Sequence, residues 1–522
     1  MAITFLHTRL IDRGTLLAAD CLRVADGRIT AIGGPDLAQP GDELVHGGSL
    51  LPGLIDAHVH LVPGATRLAA MYGVTTLIDQ FSQPDLIAAE RATGADFRTS
   101  SIGATAPGGH PTLAYAPFPY VSSPADAKQF VADRIAEGAD HLKLIYDDGS
   151  GAAMNIPTLD DPTIQALTEA AHTHNLKVVA HVSTAAGALK VVEYGADVLA
   201  HAPSDLLTPA QVEAIAAAHV AVIATLDIVD GFTPSGGEEL PLLGEAELVA
   251  RMPARWRRVL DKQSRRWMPP EAPDNAIARA NTLALHRAGV PVLAGTDAPN
   301  PGLVFGASLQ RELRHLVQAG LIPAEAIVAA TAGPAEVFGL ADRGRLVVGA
   351  RADLLLVDGD PLADITATQQ IRRTWVAGQV AVPASDEIEL AGIHFIGETT
   401  DRIITALKDV WPGFPAREDV HREDGELLGR VVPVTCGWLP TTVFGAALGP
   451  VTDHDTAVET LVDKGLASLG EIWWARTDAD WQEATIIEAQ TDRVRLRWND
   501  PMRDQPPAGQ WYPLTDVDLE LR

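Results

Sequence analysis

Short apolar runs, each followed by a stretch with helical spacing of apolar residues, recur eight times between Leu54 and Ala298. These runs are LIDAHVHL, VTTLID, FRTSSIGATA, HLKLIYD, KVVAHVS, DVLAHAP, VAVIATLDI and VPVLAGTDA. Runs of this kind are typical of buried parallel strands, and eight strand–helix units over roughly 250 residues are typical of a (β/α)8 TIM barrel. An open doubly wound sheet is the alternative, but no glycine-rich phosphate turn follows the first run. We therefore predict an α/β fold with a barrel over residues 51–340.

The two flanks of this region alternate short apolar runs with turn residues, a pattern typical of antiparallel strands. CLRVADGRITAIGG and GRLVVGARADLLLVDGDP are examples from the two flanks. Because the first 50 residues are too few to fold alone, we predict a composite β-sandwich domain built from residues 1–50 and 341–390. The strand and helix patterns of residues 391–522 predict an extra C-terminal α+β domain. We expect this domain to serve packing or oligomerisation, and the alternative is that it binds a peptide or the substrate.

Composition then narrows the possible partners. The chain has 40 Lys plus Arg against 68 Asp plus Glu, a net charge of −28. Such a surface repels nucleic-acid phosphates and anionic lipid head groups, so we expect neither nucleic acid nor a membrane as a partner. The two cysteines, Cys21 and Cys436, provide no disulfide framework, and no apolar run is long enough to span a membrane. These observations predict a cytoplasmic protein with a small-molecule substrate.

Several predicted strands carry polar side chains at or near their carboxyl ends, where barrel active sites are built. The first strand places two histidines at spacing i, i+2, so both imidazoles leave the same face. A single buried histidine is more often a core residue than a ligand, but six unpartnered polar groups at one end of a barrel would be costly. A metal centre supplies their common partner, so we predict as its ligands His58, His60, Lys143, His181, His201 and Asp297.

Lys143 distinguishes between kinds of metal centre. It lies between Leu142 and Leu144, and a protonated amine has no lone pair to offer a cation. Burial favours the unprotonated amine, which carbon dioxide can convert to a carbamate. A carboxylated Lys143 could then bridge two divalent metal ions, and the imidazole-rich donor set suits zinc.

The motifs PGLIDAHVH, GADHLKLI, VVAHVS, VLAHAP and LAGTDAPNPG together resemble the amidohydrolase superfamily of metal-dependent hydrolases. The resemblance covers roughly residues 1–385 and is to the branch related to imidazolonepropionase and Xaa-Pro dipeptidases. It implies one metal held by His58, His60, Lys143 and Asp297, and a second held by Lys143, His181 and His201. It also implies that a metal-bridging hydroxide attacks a carbonyl, while Asp297 serves as general acid and base.

The same superfamily contains mononuclear aminohydrolases that deaminate nucleobases, commonly with a Glu three residues after the histidine of strand five. Here Thr184 stands at that position after His181. Together with Lys143, this favours an amide, peptide or lactone hydrolase over a deaminase. We predict cleavage of an amide-type C–N bond, in a dipeptide or an N-acyl amino acid, with a mononuclear deaminase or a lactonase of the same superfamily as the alternative. A binding protein without catalysis is a further alternative. Against it stands the fact that all six ligand positions carry a suitable side chain.

Two more features are candidates for substrate recognition. In the loop APGGHPT, His110 could polarise the scissile carbonyl or hold a substrate carboxylate, and Tyr115 is a second candidate for the same work. Residues 251–266 carry seven basic residues and one acidic residue. They could form a lid that attracts a substrate carboxylate, or a helix whose charges neutralise acidic neighbours.

Overall fold

The computed structural model describes residues 2–92, 94–150, 155–231, 240–264, 275–382, 391–399, 402, 415–434, 437–477, 481–500, 503 and 505–521. The chain divides into two compact units. The first consists of Met1–Gly231, Glu245–Arg251 and Pro273–Arg402, and the second of Phe232–Gly244, Met252–Ala272 and Ile403–Arg522. Most of the basic segment thus belongs to the same unit as the C-terminal strands, while residues 391–402 belong to the first unit. The ranges of the three predicted domains stay a prediction.

Strands from both flanks pair with each other in the first unit. A six-stranded sheet has the order β18-β17-β16-β7-β2-β3, and a four-stranded sheet has the order β5-β4-β1-β6. Within the larger sheet β7 pairs antiparallel with β16, so that Leu51 lies opposite Leu355. The rings of Phe5 and Trp375 meet edge to face at 5.0 Å in the core beneath. These strands are β1 Ile3–Leu6, β2 Arg9–Asp12, β3 Thr15–Leu16, β4 Cys21–Ala25, β5 Arg28–Gly33, β6 Glu43–His46, β7 Ser49–Pro52, β16 Leu354–Val357, β17 Ile371–Val376 and β18 Gln379–Val380.

Eight parallel strands stand in two further sheets of the first unit, with the orders β10-β9-β8 and β11-β12-β13-β14-β15. Seven of them fall within a predicted apolar run, and β10 begins one residue before the run FRTSSIGATA. Two isolated parallel bridges, Val59 with Ala298 and Ala104 with Leu144, link segments of the two sheets. The strands are β8 Leu54–Val59, β9 Val74–Asp79, β10 Asp96–Thr99, β11 Leu142–Ile145, β12 Val178–His181, β13 Val198–Ala200, β14 Ala221–Ile223 and β15 Val292–Leu293.

Helices follow these strands, and polar caps mark where several of them begin. The side chain of Asp160 accepts a hydrogen bond from the backbone of Thr163, and Thr208 forms a capping box with Gln211. The helices of the first unit are α1 Ala65–Met71, α2 Pro84–Ile87, α3 Thr112–Tyr115, α4 Ala127–Ala136, α5 Asp161–Thr173, α6 Ala185–Glu193, α7 Pro209–Ala217, α8 Leu226–Gly231, α9 Ala246–Val249, α11 Asn275–Arg287, α12 Ala307–Ala319, α13 Pro323–Ala329, α14 Ala332–Val337 and α15 over residues 391–399.

The second unit contains two antiparallel sheets with the orders β19-β20-β21 and β25-β24-β23-β22-β26. Its core includes Trp473, Val494 and Leu461, all fully buried. The elements are α10 Ala254–Gln263, β19 Glu418–His421, β20 Leu427–Val434, β21 Gly437–Thr441, α16 His454–Lys464, β22 Ile472–Arg476, β23 Gln482–Ala489, β24 Arg493–Trp498, β25 Gln510–Pro513 and β26 Asp518–Glu520.

Arginines of α10 pair with acidic residues of their own unit. Nε of Arg255 lies 3.1 Å from an oxygen of Asp516, and Nε of Arg258 lies 3.1 Å from an oxygen of Asp518. Arg258 is buried and also donates to the backbone oxygen of Thr477. For these two side chains the structure favours neutralisation of acidic neighbours over the recognition of a substrate carboxylate.

Within the described ranges, no helix has both the length and the apolar character needed to cross a lipid bilayer.

Candidate metal centre

Five strands place the six predicted ligands. His58 lies in β8 with His60 two residues later, Lys143 lies in β11, and His181 is the last residue of β12. His201 follows β13 directly, and Asp297 lies four residues after the end of β15. The last two have φ angles of 83° and 65°, a left-handed conformation that non-glycine residues seldom adopt. Such conformations cluster at functional sites, where the surrounding structure enforces them.

The carboxylate of Asp297 contacts both histidines of the first strand. One oxygen of Asp297 lies 2.8 Å from Nε2 of His60 and 3.3 Å from Nε2 of His58. The other oxygen lies 3.9 Å from Nε2 of His201. His58, His201 and Asp297 each offer one ligand atom, and these three atoms lie within 4.8 Å of one another. The three side chains could therefore hold one cation.

The remaining two predicted ligands join the same group. Nζ of Lys143 lies 3.5 Å from Nε2 of His58. Nδ1 of His181 lies 3.0 Å from Nε2 of His201. Two imidazole nitrogens that face each other this closely are suited to a shared cation or proton. The structure therefore brings all six predicted side chains together.

Three further contacts orient the imidazole rings. Nδ1 of His60 lies 3.1 Å from the backbone oxygen of Phe81, and Nδ1 of His201 lies 2.8 Å from the hydroxyl of Thr225. Nε2 of His181 lies 3.4 Å from a carboxylate oxygen of Asp147. A metal-binding histidine usually donates its other ring nitrogen to a group of this kind, which sets its tautomer and angle.

Asp147 and Thr225 were missed by sequence reasoning. Asp147 ends the run HLKLIYD and Thr225 lies in VAVIATLDI, so both stand just beyond strand ends where barrel active sites are built. Their position after a strand was therefore the only signal in the sequence, because neither an aspartate nor a threonine is distinctive in a loop.

Burial controls the charges at this centre. It lowers the pKa of the Lys143 amine to about 7. Burial also lowers the pKa of His58, and the nearby Lys143 lowers it further. The pKa of His201 is lowered by burial and then by the nearby His181. Burial would raise the pKa of the Asp297 carboxyl, but the hydrogen bond and charge of His60 hold that pKa well below its usual range. The neutral imidazoles of His58 and His201 beside the ionised carboxylate of Asp297 are donors that a divalent cation needs, so these residues fit a metal.

The two predicted substrate-binding residues lie beside the ligands. His110 is an exposed residue of the loop after β10. Its ring stacks on the ring of His181 at a centroid distance of 4.9 Å. The ring of Tyr115, the last residue of α3, lies 6.1 Å from that of His60 and 5.1 Å from that of Phe81. Both are placed where a bound substrate could touch them, and their roles stay a prediction.

Comparison with known proteins supplies relatives that match part of this chain. An N-acyl-D-glutamate deacylase of Alcaligenes xylosoxydans xylosoxydans is 34% identical over 150 residues, which cover 28% of this chain and 29% of the deacylase. An imidazolonepropionase of Deinococcus deserti is 40% identical over 96 residues, or 17% of this chain and 24% of that protein. An adenine deaminase of Paracoccus denitrificans is 26% identical over 368 residues, or 67% of this chain and 52% of that protein. The matched segments thus span only part of each relative.

Among solved structures, a Xaa-Pro dipeptidase with bound methionine in its active site aligns with a TM-score of 0.58 at 18% identity. The alignment covers 73% of this chain and 99% of the dipeptidase. At this identity the likeness shows the fold alone, an α/β fold that contains a TIM barrel.

The family itself is shown by a longer match. Residues 49–381, which include all six predicted ligands, match the model of the amidohydrolase family. The sequence relatives include an imidazolonepropionase, and the structural neighbours include a Xaa-Pro dipeptidase, so the resemblance drawn from the motifs is confirmed. The chain belongs to the amidohydrolase family, a generally metal-dependent family of hydrolases that act on carbon–nitrogen bonds.

Proposed function

We propose that this chain is a binuclear metal hydrolase that cleaves an amide-type C–N bond in a dipeptide or an N-acyl amino acid. The observation that carries the proposal is the convergence of four imidazoles, one amine and one carboxylate, linked by nitrogen–oxygen and nitrogen–nitrogen distances of 2.8–3.9 Å. A structural core has no reason to gather six such groups, because each would need its own partner.

Lys143 supports the binuclear form of the proposal. Its side chain is buried, and the polar contact of its amine is with His58 Nε2, itself a proposed ligand. An ammonium at this position would repel cations, whereas an N6-carboxylated lysine would supply oxygens to both. The proposed metal sites are therefore His58, His60, Lys143 and Asp297 for one ion, and Lys143, His181 and His201 for the other. Zinc is the proposed metal because imidazole nitrogens dominate the donor set.

The chemistry divides between the bound ions and the chain. Divalent cations, when bound, polarise a carbonyl oxygen and make water a better nucleophile. The carboxylate of Asp297, kept ionised beside His60, accepts the proton of the attacking water and returns it to the leaving nitrogen. His110, stacked on His181, either polarises the scissile carbonyl or holds a substrate carboxylate, and Tyr115 is the second candidate for this contact.

Two features of architecture belong to the same proposal. The parallel bridges Val59 with Ala298 and Ala104 with Leu144 support closure of the two parallel sheets into one eight-stranded barrel. The pairing of β7 with β16 supports a composite β-sandwich domain made from both flanks. Such a barrel would collect the six ligands at the carboxyl ends of its strands.

A deaminase or lactonase remains the second candidate, favoured by the adenine deaminase match over two thirds of this chain. Against a deaminase stands Thr184, where an acid would be expected after His181. A binding protein without catalysis is the third candidate. We further propose a cytoplasmic location, a homo-oligomer and a substrate that carries a carboxylate. The experiment below does not test these three proposals.

The proposal is tested by metal analysis combined with a substrate screen. Purified protein is loaded with zinc, assayed for metal per chain, and offered dipeptides, N-acyl amino acids, adenine and lactones. We expect two metals per chain and release of a free amine from amide substrates only. Ammonia from adenine, or ring opening of a lactone, would establish the second candidate, and full metallation without turnover of any substrate would favour the third.

A further inference from the structure

Helix α15, over residues 391–399, lies beyond the family match, which ends at residue 381. It belongs to the first compact unit together with the candidate metal centre. Its Ile393 and Ile396 side chains are 1% and 5% exposed, so one face of this helix is packed. The helix therefore lies outside the family match but in the unit that holds the ligands.

The helix is held against the loop that follows the first ligand strand. A Cβ atom placed on Gly392 would stand 2.0 Å from the backbone oxygen of Pro63, so only glycine permits this approach. Pro63 follows His60 by three residues. At the far end, Arg402 donates to the backbone oxygens of Ala114 and Ala116, at 3.2 and 3.0 Å. These two alanines flank Tyr115, so both contacts bring the segment to the surroundings of the centre.

Aromatic rings then connect this helix to a ligand. The half-buried ring of Phe395 lies 6.3 Å from that of Tyr115, whose ring lies 6.1 Å from the imidazole of His60. Tyr115 also packs on a buried cluster formed by Phe81, Ile102, Phe118 and Ile145. A continuous apolar wall thus runs from the centre outwards to α15, and Phe395 forms its partly exposed end.

We propose that Phe395, together with Tyr115, selects amide substrates that carry a large apolar group next to the scissile bond. This inference rests on the proposed function, since it names the substrate class of the same site. A substrate whose carbonyl lies at the ligands places one flanking group beside His60, where the wall removes apolar surface from water. Phe395 acts here as a specificity-determining residue and takes no part in proton transfer.

The test compares substrates that differ only in the flanking group. Wild-type protein is assayed with N-phenylacetyl and N-acetyl derivatives of one amino acid, and with Phe and Gly dipeptides that share the second residue. We expect wild type to prefer the large apolar member of each pair. Phe395→Ala should lower kcat/KM for that member by about 10-fold or more and leave the small member within about twofold.

Two further variants keep the test decisive. His394→Ala changes an exposed neighbour on the same helix and should alter neither substrate. Phe395→Trp keeps an aromatic packing surface but takes up more room, so it should again lower kcat/KM for the large member selectively, even if the alanine variant folds poorly. Metal content is measured for every variant and should remain at the wild-type value.

The outcomes separate the two proposals. Equal losses on large and small substrates, or no loss in either Phe395 variant, would overturn the role of Phe395 while amide hydrolysis stands. A metallated wild type that hydrolyses no amide of either size would overturn the proposed function and this inference together.

Discussion

Nε2 of His181 lies 3.4 Å from Oδ2 of Asp147, while Nδ1 of the same ring faces Nε2 of His201 at 3.0 Å. The imidazole of His181 is therefore flanked by the carboxylate of Asp147 at Nε2 and by the imidazole of His201 at Nδ1. Burial would raise the pKa of Asp147, but its contact with Nε2 of His181 holds that pKa well below its usual range. An ionised Asp147 favours the tautomer that carries the proton on Nε2 and leaves the Nδ1 lone pair free.

Asp147→Asn should therefore weaken metal binding at the site of His181 and His201. The amide can still contact the ring but loses the charge that fixes its tautomer, and losses of about 10- to 100-fold in metal affinity are usual for such a change. Competition with a chelator measures the affinity. Asp148→Asn, at the exposed neighbouring position, is the matched control and should bind metal like wild type. An unchanged affinity in Asp147→Asn would rule out this orienting role.

Replacement of Lys143 tests the proposed bridge. Lys143→Ala should lose the second metal, because His181 and His201 would be its only remaining ligands from the chain, and kcat should fall by orders of magnitude. Lys143→Glu restores a carboxylate on a shorter stem and should recover some metal but little turnover. Short-chain carboxylic acids in the buffer should partly rescue the alanine variant.

Metal content measured beside turnover decides this prediction. Lys177→Ala removes a lysine at the opposite end of the neighbouring strand and should retain both metals, as wild type does. If Lys143→Ala holds two metals per chain with near-normal kcat, the carbamate bridge is wrong and the mononuclear candidates return.

Arg258→Gln should destabilise the second unit and leave substrate choice unchanged. Arg258 is 3% exposed and pairs with Asp518 at 3.1 Å, and the same carboxylate also contacts Nε of Arg476 at 3.0 Å. Removal of Arg258 therefore takes away one of the two arginine partners of this carboxylate, at a cost of about 1–3 kcal/mol. Urea unfolding measures the loss. Arg257→Gln, on the same helix, should cost less than about 1 kcal/mol. A selective rise in KM for carboxylate substrates over their amides would instead restore the predicted lid.

Glu312 gives the first unit a pH dependence of known sign. Burial raises the pKa of its carboxyl to about 8, while the backbone of Asp227 donates to it at 2.8 Å. Since the carboxyl has a pKa of about 4.3 when unfolded, the folded state binds more protons between about pH 4.3 and 8, and stability falls as the pH rises through that window.

Glu312→Gln should therefore lose less stability than wild type between pH 5 and pH 8. Thermal unfolding at the two pH values gives the comparison, and the other titrating groups cancel because both proteins share them. Glu213→Gln, at an exposed position of α7, should follow wild type. Parallel pH dependences in wild type and Glu312→Gln would mean that Glu312 stays ionised in the folded protein.

The positions of the strands and of the six candidate ligands could be predicted from the sequence because both depend on local pattern. His58 and His60 share a face through their spacing, and Lys143 stands out among leucines wherever the strand is placed. Asp147 could not be identified in this way, because its contact with His181 depends on the distance between neighbouring strands. The same holds for Arg258, whose partner Asp518 lies far along the chain. Such contacts follow from tertiary packing, which one sequence does not reveal.

The pairing of Leu51 with Leu355 has a consequence during synthesis of the protein. At about 5–20 residues per second, a ribosome needs roughly 15–60 s to add the 300 or so residues that separate the two strands. During that time β7 and its neighbours emerge with an unpaired apolar edge, and such edges invite association with other chains. The apolar edge of β7 therefore needs protection from association until β16 has been made, and this strand ends only six residues before the candidate ligand His58.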